Sequence, residues 1–195
     1  MNLADVRVVP VVVLRDLDET IPTLTALRDG GIPAAEITFR TACAREALAL
    51  AVKTFPDMLV GAGTVINADG ARAAIAAGAK FVVSPGLSVA VFDVCRAANV
   101  PYIPGCATPT EIMQALDLGI TTVKFFPASV YGGLAAVKAL SAPFPQVKFL
   151  PTGGVDESNI RDFLACPAVV AVGGSFMMKG NIRENCKRVR DLIEQ

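Results

Sequence analysis

The sequence repeats a unit in which a short apolar, β-branched run is followed by an amphipathic helical pattern, and this repeat most constrains the fold. Apolar β-branched runs are typical of buried strands, whereas apolar residues recurring every three or four positions predict helices. The predicted strands cover residues 6–14, 34–39, 59–65, 81–85, 101–105, 122–127, 147–152 and 169–173. The predicted helices cover residues 19–28, 44–55, 68–77, 88–98, 109–118, 134–140, 157–164 and 184–194. The pattern therefore predicts eight strand–helix pairs.

The spacing of these units restricts the architecture further. Corresponding strand positions lie 19 to 25 residues apart along the series Glu36, Gly61, Pro85, Pro104, Phe126, Pro151 and Gly173. A solenoid is disfavoured because the leucine signature of leucine-rich repeats is absent from the units. Eight βα units with right-handed crossovers favour an α/β protein of the (β/α)8 TIM barrel type. An open doubly wound sheet is the alternative, and the lack of a GxGxxG motif at the first helix argues against it.

Composition limits the domain count and the partners. A chain of 195 residues that is 53% hydrophobic and 18% charged predicts one ordered domain over residues 1–195. Its 18 basic and 18 acidic residues cancel, so we expect neither nucleic acid nor an anionic membrane as a partner. The apolar runs are short and the first residues lack a signal-peptide pattern, which predicts a cytoplasmic protein. The apolar surplus favours an oligomer.

The sequence also excludes several kinds of site. It contains no histidine, so histidine-based triads and the usual histidine metal sites are ruled out. Its five cysteines are scattered and form no CxxC pair, which argues against a disulfide framework or a zinc site. We therefore predict no metal and no cofactor. Proton transfer must use carboxylates, lysine, tyrosine or water.

A single lysine interrupts the apolar run at residues 121–127. Period-two alternation puts Lys124 on one face of the strand and Val123 and Phe125 on the other, so Lys124 points to the interior if its neighbours meet the helices. A buried ammonium is costly unless it is paired, reaches water or loses its proton. A neutral amine attacks ketones to give a Schiff base. The alternative is that Lys124 extends to solvent from an edge strand.

A carboxylate is predicted on the same interior. Glu36 shares one face of the second strand with Thr38 and Arg40, whereas its apolar neighbours face the other side. Glu36 and Lys124 in adjacent layers would offset each other's charge and could exchange a proton. A purely structural buried ion pair is the alternative. The other lysines, including Lys179, are interpreted as solvated.

Glycines near the strand ends predict room for a ligand. Gly61, Gly63 and Gly86 remove side chains where a ligand could approach the backbone, and Thr64 adds a hydroxyl at a strand end.

Glycine pairs also follow the last two strands, in PTGG and GGS. Loops at these two positions bind phosphate through backbone N–H groups in many barrels, so we interpret Gly153, Gly154 and Ser175 as a phosphate cradle. Ordinary turns are the alternative.

Eight motifs carry a resemblance that spans nearly the whole chain. They are EITFRT (36–41), GAGTV (61–65), SPGL (84–87), IPG (103–105), VKFFPA (123–128), APFPQVKF (142–149), LPTGGV (150–155) and VGGS (172–175). Together they resemble the bacterial 2-keto-3-deoxy-6-phosphogluconate (KDPG) aldolases, which include 4-hydroxy-2-oxoglutarate aldolases. The resemblance implies a metal-independent class I aldolase, a homotrimer of the Entner–Doudoroff pathway. Such an enzyme reversibly cleaves the phosphorylated keto acid to pyruvate and D-glyceraldehyde 3-phosphate.

The resemblance also implies a role for each site residue. Lys124 would form the Schiff base and Glu36 would transfer protons. The substrate carboxylate end would be held by Arg40 and Thr64, and Phe126 would pack at the imine. The implied phosphate-binding residues are Thr152, Gly153, Gly154 and Ser175.

The chain departs from the family pattern in places, and other functions stay open. Ser129 and Tyr131 stand where many relatives have an acidic residue and asparagine, and Phe176 stands where tryptophan is frequent, so substrate preference is undecided. One alternative is another phosphate-binding barrel enzyme. The other is a noncatalytic or engineered assembly on an aldolase scaffold.

Overall fold

The computed structural model describes residues 2–194, and strands alternate with helices throughout. The strands are β1 (Val8–Val12), β2 (Ala34–Thr38), β3 (Leu59–Gly63), β4 (Val82–Val83), β5 (Tyr102–Ile103), β6 (Thr122–Phe125), β7 (Lys148–Pro151) and β8 (Val172–Gly174). The helices are α1 (Leu3–Val6), α2 (Thr20–Asp29), α3 (Ala44–Thr54), α4 (Ala68–Ala76), α5 (Val89–Ala97), α6 (Pro109–Asp117), α7 (Gly133–Ser141), α8 (Ile160–Leu164) and α9 (Ile182–Glu194). All eight predicted strand–helix pairs are confirmed.

At two of the boundaries that differ from the prediction, side chains cap the backbone locally. The predicted first strand began at residue 6, but residues 3–6 form α1, whose capping box pairs Asn2 with Asp5. Arg7 ends this helix in the left-handed region, with φ 54°. The seventh predicted helix was expected to begin at residue 157 but begins at Ile160, as α8, because the Asp156 carboxylate accepts the N–H of Ser158 and holds a turn there.

The strands form a parallel, curled sheet. Six of them lie in the order β5-β4-β3-β2-β1-β8, and β6 pairs with β7 in a second, two-stranded sheet. Single bridges join these sheets: Gly105 pairs with Lys124, Phe149 pairs with Val169, and Thr152 pairs with Gly173. The carboxyl ends of the strands therefore converge on one side of the molecule, which confirms the predicted α/β class.

Alternate strand residues enter two separate apolar cores. Val8, Ala35 and Val60 belong to a large cluster that also contains helix residues such as Leu24 and Leu48. Their strand neighbours belong to a smaller cluster built from Val6, Val9, Ala34, Leu59, Phe81, Val83, Ile103, Leu150 and Ala171. Both faces of the sheet are thus buried, as the continuous apolar runs predicted.

Three thiols lie in the larger core and are perturbed by it. Burial raises the pKa of the Cys95 and Cys186 thiols from 9.0 to about 11, and it raises the pKa of Cys106 to about 12. These thiols therefore behave as small apolar side chains in the core.

The buried thiols predict a loss of stability at high pH. Between pH 9 and about 11 the unfolded chain gives up the Cys95 proton while the folded chain keeps it, so the unfolded state binds fewer protons and stability falls as pH rises. Below pH 9 this contribution is fully present. We expect Cys95→Ala to make the urea midpoint less dependent on pH from 9 to 10.5. Val91→Ala, which opens a cavity in the same helix without removing a thiol, provides the control, and equal pH slopes in the two variants would contradict the prediction.

Candidate active site

Lys124 and Glu36 form a buried ion pair inside the curled sheet. The Lys124 ammonium donates to Glu36 Oε1 at 3.0 Å and to Oε2 at 3.4 Å. The Glu36 side chain is fully buried and that of Lys124 is 6% exposed. Val123 and Phe125, on the opposite face of β6, lie in the larger core as predicted. Lys124 therefore points inward and is paired, so the solvated edge-strand interpretation is wrong.

The neighbouring glycines make room for this pair. A Cβ placed on Gly63 would overlap the Glu36 carboxylate, and one on Gly61 would overlap the Phe81 ring. The expectation that Gly61 and Gly63 admit a ligand is therefore wrong, since protein side chains occupy both spaces. Gly86 does face open space.

Phe126 connects the buried pair to an open cavity. Its ring centroid lies 5.3 Å from Lys124 Nζ, within the range of a cation–π contact. The same ring lines the cavity at the carboxyl ends of the strands. The aromatic face thus lies between the amine and the space that a substrate can enter.

Arg40 and Thr64 are held together beyond the ends of β2 and β3. Arg40 Nε donates to Thr64 Oγ1 at 2.9 Å. Thr64 lies in the left-handed region with φ 56°, which is unfavourable for a β-branched residue. The geometry fixes the guanidinium while its other N–H groups remain available to an anion.

The PTGG loop presents two consecutive glycines in the left-handed region. Gly153 has φ +89° and Gly154 has φ +80°, conformations that a side chain would strain. Ser129 packs directly on Gly154, and its N–H donates to the Gly153 carbonyl at 3.0 Å. Within residues 2–194 the Gly153 and Gly154 N–H groups have no protein acceptor. They form a pair of available donors suited to an anion.

Thr152 differs from Gly153 and Gly154 because its side chain turns into the interior of the sheet. Its hydroxyl donates to the Leu150 carbonyl at 3.3 Å and turns into the space left by Gly173, which has no side chain. Thr152 reaches the cavity, but its hydroxyl proton is engaged in the interior.

One cavity of about 410 Å³ collects most of the predicted site residues. Six of the nine line it: Arg40, Phe126, Thr152, Gly153, Gly154 and Ser175. Thr64 reaches it through Arg40, and Glu36 and Lys124 lie in the interior next to Phe126. Six residues that were not predicted as site residues also line it: Val11, Val155, Asp156, Gly174, Phe176 and Lys179. The sequence feature that could have indicated a place for Lys179 at the cavity is its position shortly after the GGS motif.

A larger cavity of about 510 Å³ lies at the amino ends of the strands. Its lining includes the apolar residues Leu59, Phe81 and Ile103. Lys80 also lines it, and its ammonium donates to the Met58 carbonyl at 2.7 Å. In the described part of the chain no carboxylate accompanies Lys80 in the lining of this larger cavity, so it lacks a pair of acid and base. The candidate active site therefore lies at the opposite, carboxyl ends of the strands.

Residues 2–194 contain neither a candidate metal site nor a helix that could span a membrane. No three His, Cys, Asp or Glu side chains come together there in a way that could hold a metal ion. Every helix in that range is too short or too polar to cross a bilayer.

The fit at Gly63 predicts a stability effect. We expect Gly63→Ala to force Glu36 away from Lys124 and leave a buried charge unpaired, which lowers the free energy of unfolding by about 3 kcal/mol. Urea denaturation at pH 7 measures this loss. Gly86→Ala, at a glycine that faces open space, is the control and changes stability by about 0.5 kcal/mol or less. Equal losses in the two variants would refute the proposed contact.

Comparisons with known proteins agree with this geometry. The family model described as "Aldolase: KDPG and KHG aldolase" matches residues 1–192. The 2-dehydro-3-deoxy-phosphogluconate aldolase of Treponema pallidum (strain Nichols) is 48% identical over 176 residues, which are 90% of this chain and 84% of that protein. A crystal structure of KDPG aldolase from Legionella pneumophila, with pyruvate captured at low pH as a covalent carbinolamine intermediate, has a TM-score of 0.89 and 40% identity. The match covers 98% of this chain and 94% of that one.

A second solved structure extends the comparison to a phosphorylated ligand. The 2-keto-3-deoxy-6-phosphogluconate aldolase of Zymomonas mobilis ZM4 with 3-phosphoglycerate has a TM-score of 0.89 and 38% identity. The match covers 98% of this chain and 91% of that one. Sequence and structure agree over nearly the full length, and the chain belongs to the KDPG and KHG aldolase family.

Proposed function

We propose that this chain is a class I aldolase that reversibly cleaves KDPG to pyruvate and D-glyceraldehyde 3-phosphate, as in the Entner–Doudoroff pathway. The buried contact between Lys124 Nζ and Glu36 carries the proposal, because it pairs a potential imine-forming amine with a proton acceptor. The relatives' names and the covalent pyruvate adduct of the Legionella enzyme support it. The family model's second substrate, 4-hydroxy-2-oxoglutarate, is the proposed minor substrate.

The first stage is imine formation at Lys124. Proton transfer from the ammonium to Glu36 leaves a neutral amine, which attacks the C2 ketone and gives a carbinolamine. The protonated Glu36 then donates to the departing hydroxyl, which leaves as water. Phe126 packs against the cationic imine as it packs against the ammonium.

The second stage is cleavage of the C3–C4 bond. The Glu36 carboxylate removes the C4 hydroxyl proton, the bond electrons move into the imine, and the aldehyde departs to leave an enamine. Glu36 returns its proton to C3, and hydrolysis of the imine releases pyruvate and the free amine. The Glu36 carboxyl group thus transfers the proton in each of these steps. Among the described residues it is the one carboxylate that forms an ion pair with Lys124.

We assign the remaining site residues to the two anionic ends of the substrate. Arg40, held by Thr64, binds the C1 carboxylate near the imine. The phosphate is bound by Thr152, Gly153, Gly154 and Ser175. The two available N–H groups of the glycine loop support this assignment, and Thr152 takes part through its backbone position, since its hydroxyl is engaged.

We further propose that the single domain predicted from the sequence is a closed (β/α)8 barrel formed by residues within 2–194. The bridges from β5 to β6 and from β7 to β8 support closure, because they lie at both gaps between the two sheets. Sequential strand order without a reversal argues against the doubly wound alternative. A cytoplasmic location stays a prediction from the sequence.

The buried pair also bears on the alternative functions. A phosphate-binding barrel enzyme without imine chemistry has no need for a buried lysine, and a noncatalytic scaffold has no need to keep Arg40 pinned beside an open cavity. We therefore favour the aldolase.

Trapping with borohydride tests the imine. We expect the parent chain with pyruvate and borohydride to gain the mass of one reduced pyruvyl group, because reduction fixes the Lys124 imine irreversibly. Lys124→Ala gains no mass. Lys148→Ala, which removes an exposed lysine at the start of β7, is the control and is labelled like the parent. A labelled Lys124→Ala or an unlabelled parent contradicts the proposal.

Glu36→Gln separates proton transfer from imine formation. We expect kcat for KDPG cleavage to fall by ~10²–10⁴-fold, because the amide cannot accept the C4 hydroxyl proton. The variant keeps slow labelling by pyruvate and borohydride. A rate within threefold of the parent's, roughly the scatter for a residue without a catalytic role, counts against Glu36 as the base.

A homotrimer is the proposed assembly. Large apolar side chains are exposed on the single chain, with Val130 at 74% and the adjacent Tyr131 at 52%, which supports association through such a surface. Sedimentation equilibrium at micromolar concentration is expected to give the mass of three chains. The mass of one chain would refute the assembly without bearing on the imine.

A further inference from the structure

We propose that Lys179 binds the phosphoryl group of the substrate and sets the preference for phosphorylated over unphosphorylated keto acids. This inference rests on the proposed aldolase function and concerns the same cavity. Lys179 lines that cavity together with Gly153, Gly154 and Ser175. Its own place in the fold and the charge of the cavity carry the argument.

The first support is the position of Lys179 relative to Ser175. A short 3-10 turn, Phe176–Met178, separates them, and the Met178 N–H donates to the Ser175 carbonyl at 3.0 Å. Asn185 Nδ2 donates to the Met177 carbonyl at 3.0 Å and to the Lys179 carbonyl at 2.6 Å. The backbone that carries Lys179 is therefore fixed beside the glycine loop, while its side chain is exposed at the rim.

The second support is the charge balance of the cavity. Its charged lining residues are Arg40, Asp156 and Lys179. Hydrogen bonds from Ser158 lower the pKa of the Asp156 carboxyl, so Asp156 is negative at neutral pH and offsets one cation. Without Lys179 the lining would be neutral. A substrate with a carboxylate and a phosphate carries about −2.5 to −3 near pH 7, which makes the second cation decisive.

The third support is the separation of the two cations. Arg40 follows β2 and is tied to Thr64, whereas Lys179 follows β8, and β1 lies between these strands. Among residues 2–194 no carboxylate forms an ion pair with Lys179. Arg40 is thus placed for one anionic end of a ligand and Lys179 for the other.

Kinetics with two substrates test the inference. We expect Lys179→Gln to lower kcat/KM for KDPG about tenfold, mainly through KM, while kcat/KM for 4-hydroxy-2-oxoglutarate stays within about twofold. Lys179→Arg restores most of the loss because it keeps the charge. Lys53→Gln is the matched control, since α3 ends at Thr54, just before β3 begins, so Lys53 lies at the amino ends of the strands, away from the cavity. Equal losses for both substrates, or no loss for either, overturn the inference.

A binding measurement separates this inference from the proposed function. Glycerol 3-phosphate is titrated calorimetrically into the parent and Lys179→Gln, with glycerol as the reference ligand. Weaker binding of glycerol 3-phosphate to the variant supports the role of Lys179 even if the parent forms no pyruvate imine. Labelling by pyruvate together with equal glycerol 3-phosphate affinity in both proteins overturns the role of Lys179 alone.

Discussion

The contact between Lys124 and Glu36 is the constraint on which the interior depends. Each charge loses its hydration inside the curled sheet, a cost of several kcal/mol per ion, and the partner at 3.0 Å compensates for it. The strands must therefore hold their register closely, because a slip of one residue would turn either side chain toward the helices. Gly63 follows from the same contact, since any side chain there would occupy the place of the carboxylate. A buried ion pair with this desolvation cost stabilises the fold little. Its position next to Phe126, which lines the cavity, fits a catalytic role better than a stabilising one.

The inward direction of both charges could be predicted from the sequence because strand periodicity is a local property. Lys124 alternates with Val123 and Phe125, and Glu36 alternates with Ala35 and Ile37. The residues of each strand alone therefore predict which side chains share a face. The roles of the glycines could not be predicted in this way. Gly63 pairs in register with Thr38, yet the Glu36 carboxylate fills the space above it, and the Phe81 ring, just before β4, fills the space above Gly61. Register between strands depends on the whole sheet, and an isolated motif does not encode it.

Two residues that follow the last two strands differ from their interpretation in the sequence. Thr152 was predicted to be a phosphate-binding residue, but Gly173 on the adjacent strand leaves a space inside that the Thr152 hydroxyl fills. Lys179 was interpreted as solvated, and its side chain is indeed exposed, yet the turn after Ser175 brings it to the cavity. Solvent exposure and participation in a site are compatible at a cavity rim. Whether an exposed lysine reaches a site depends on the geometry of its loop. Here that geometry depends on contacts of Asn185, which lies outside the GGS motif.

The site divides its work between the interior and the rim. In the proposed mechanism the buried pair acts where charge develops during bond breaking, in a region with little water, so its effect is concentrated in the transition state. In the proposed binding mode the rim cations and glycine N–H groups contact parts of the substrate that do not react, before and during the reaction alike. Such uniform binding changes KM more than kcat. A chain of this family can therefore alter its substrate preference through residues such as Lys179 or Ser129 while the imine chemistry at Lys124 stays unchanged.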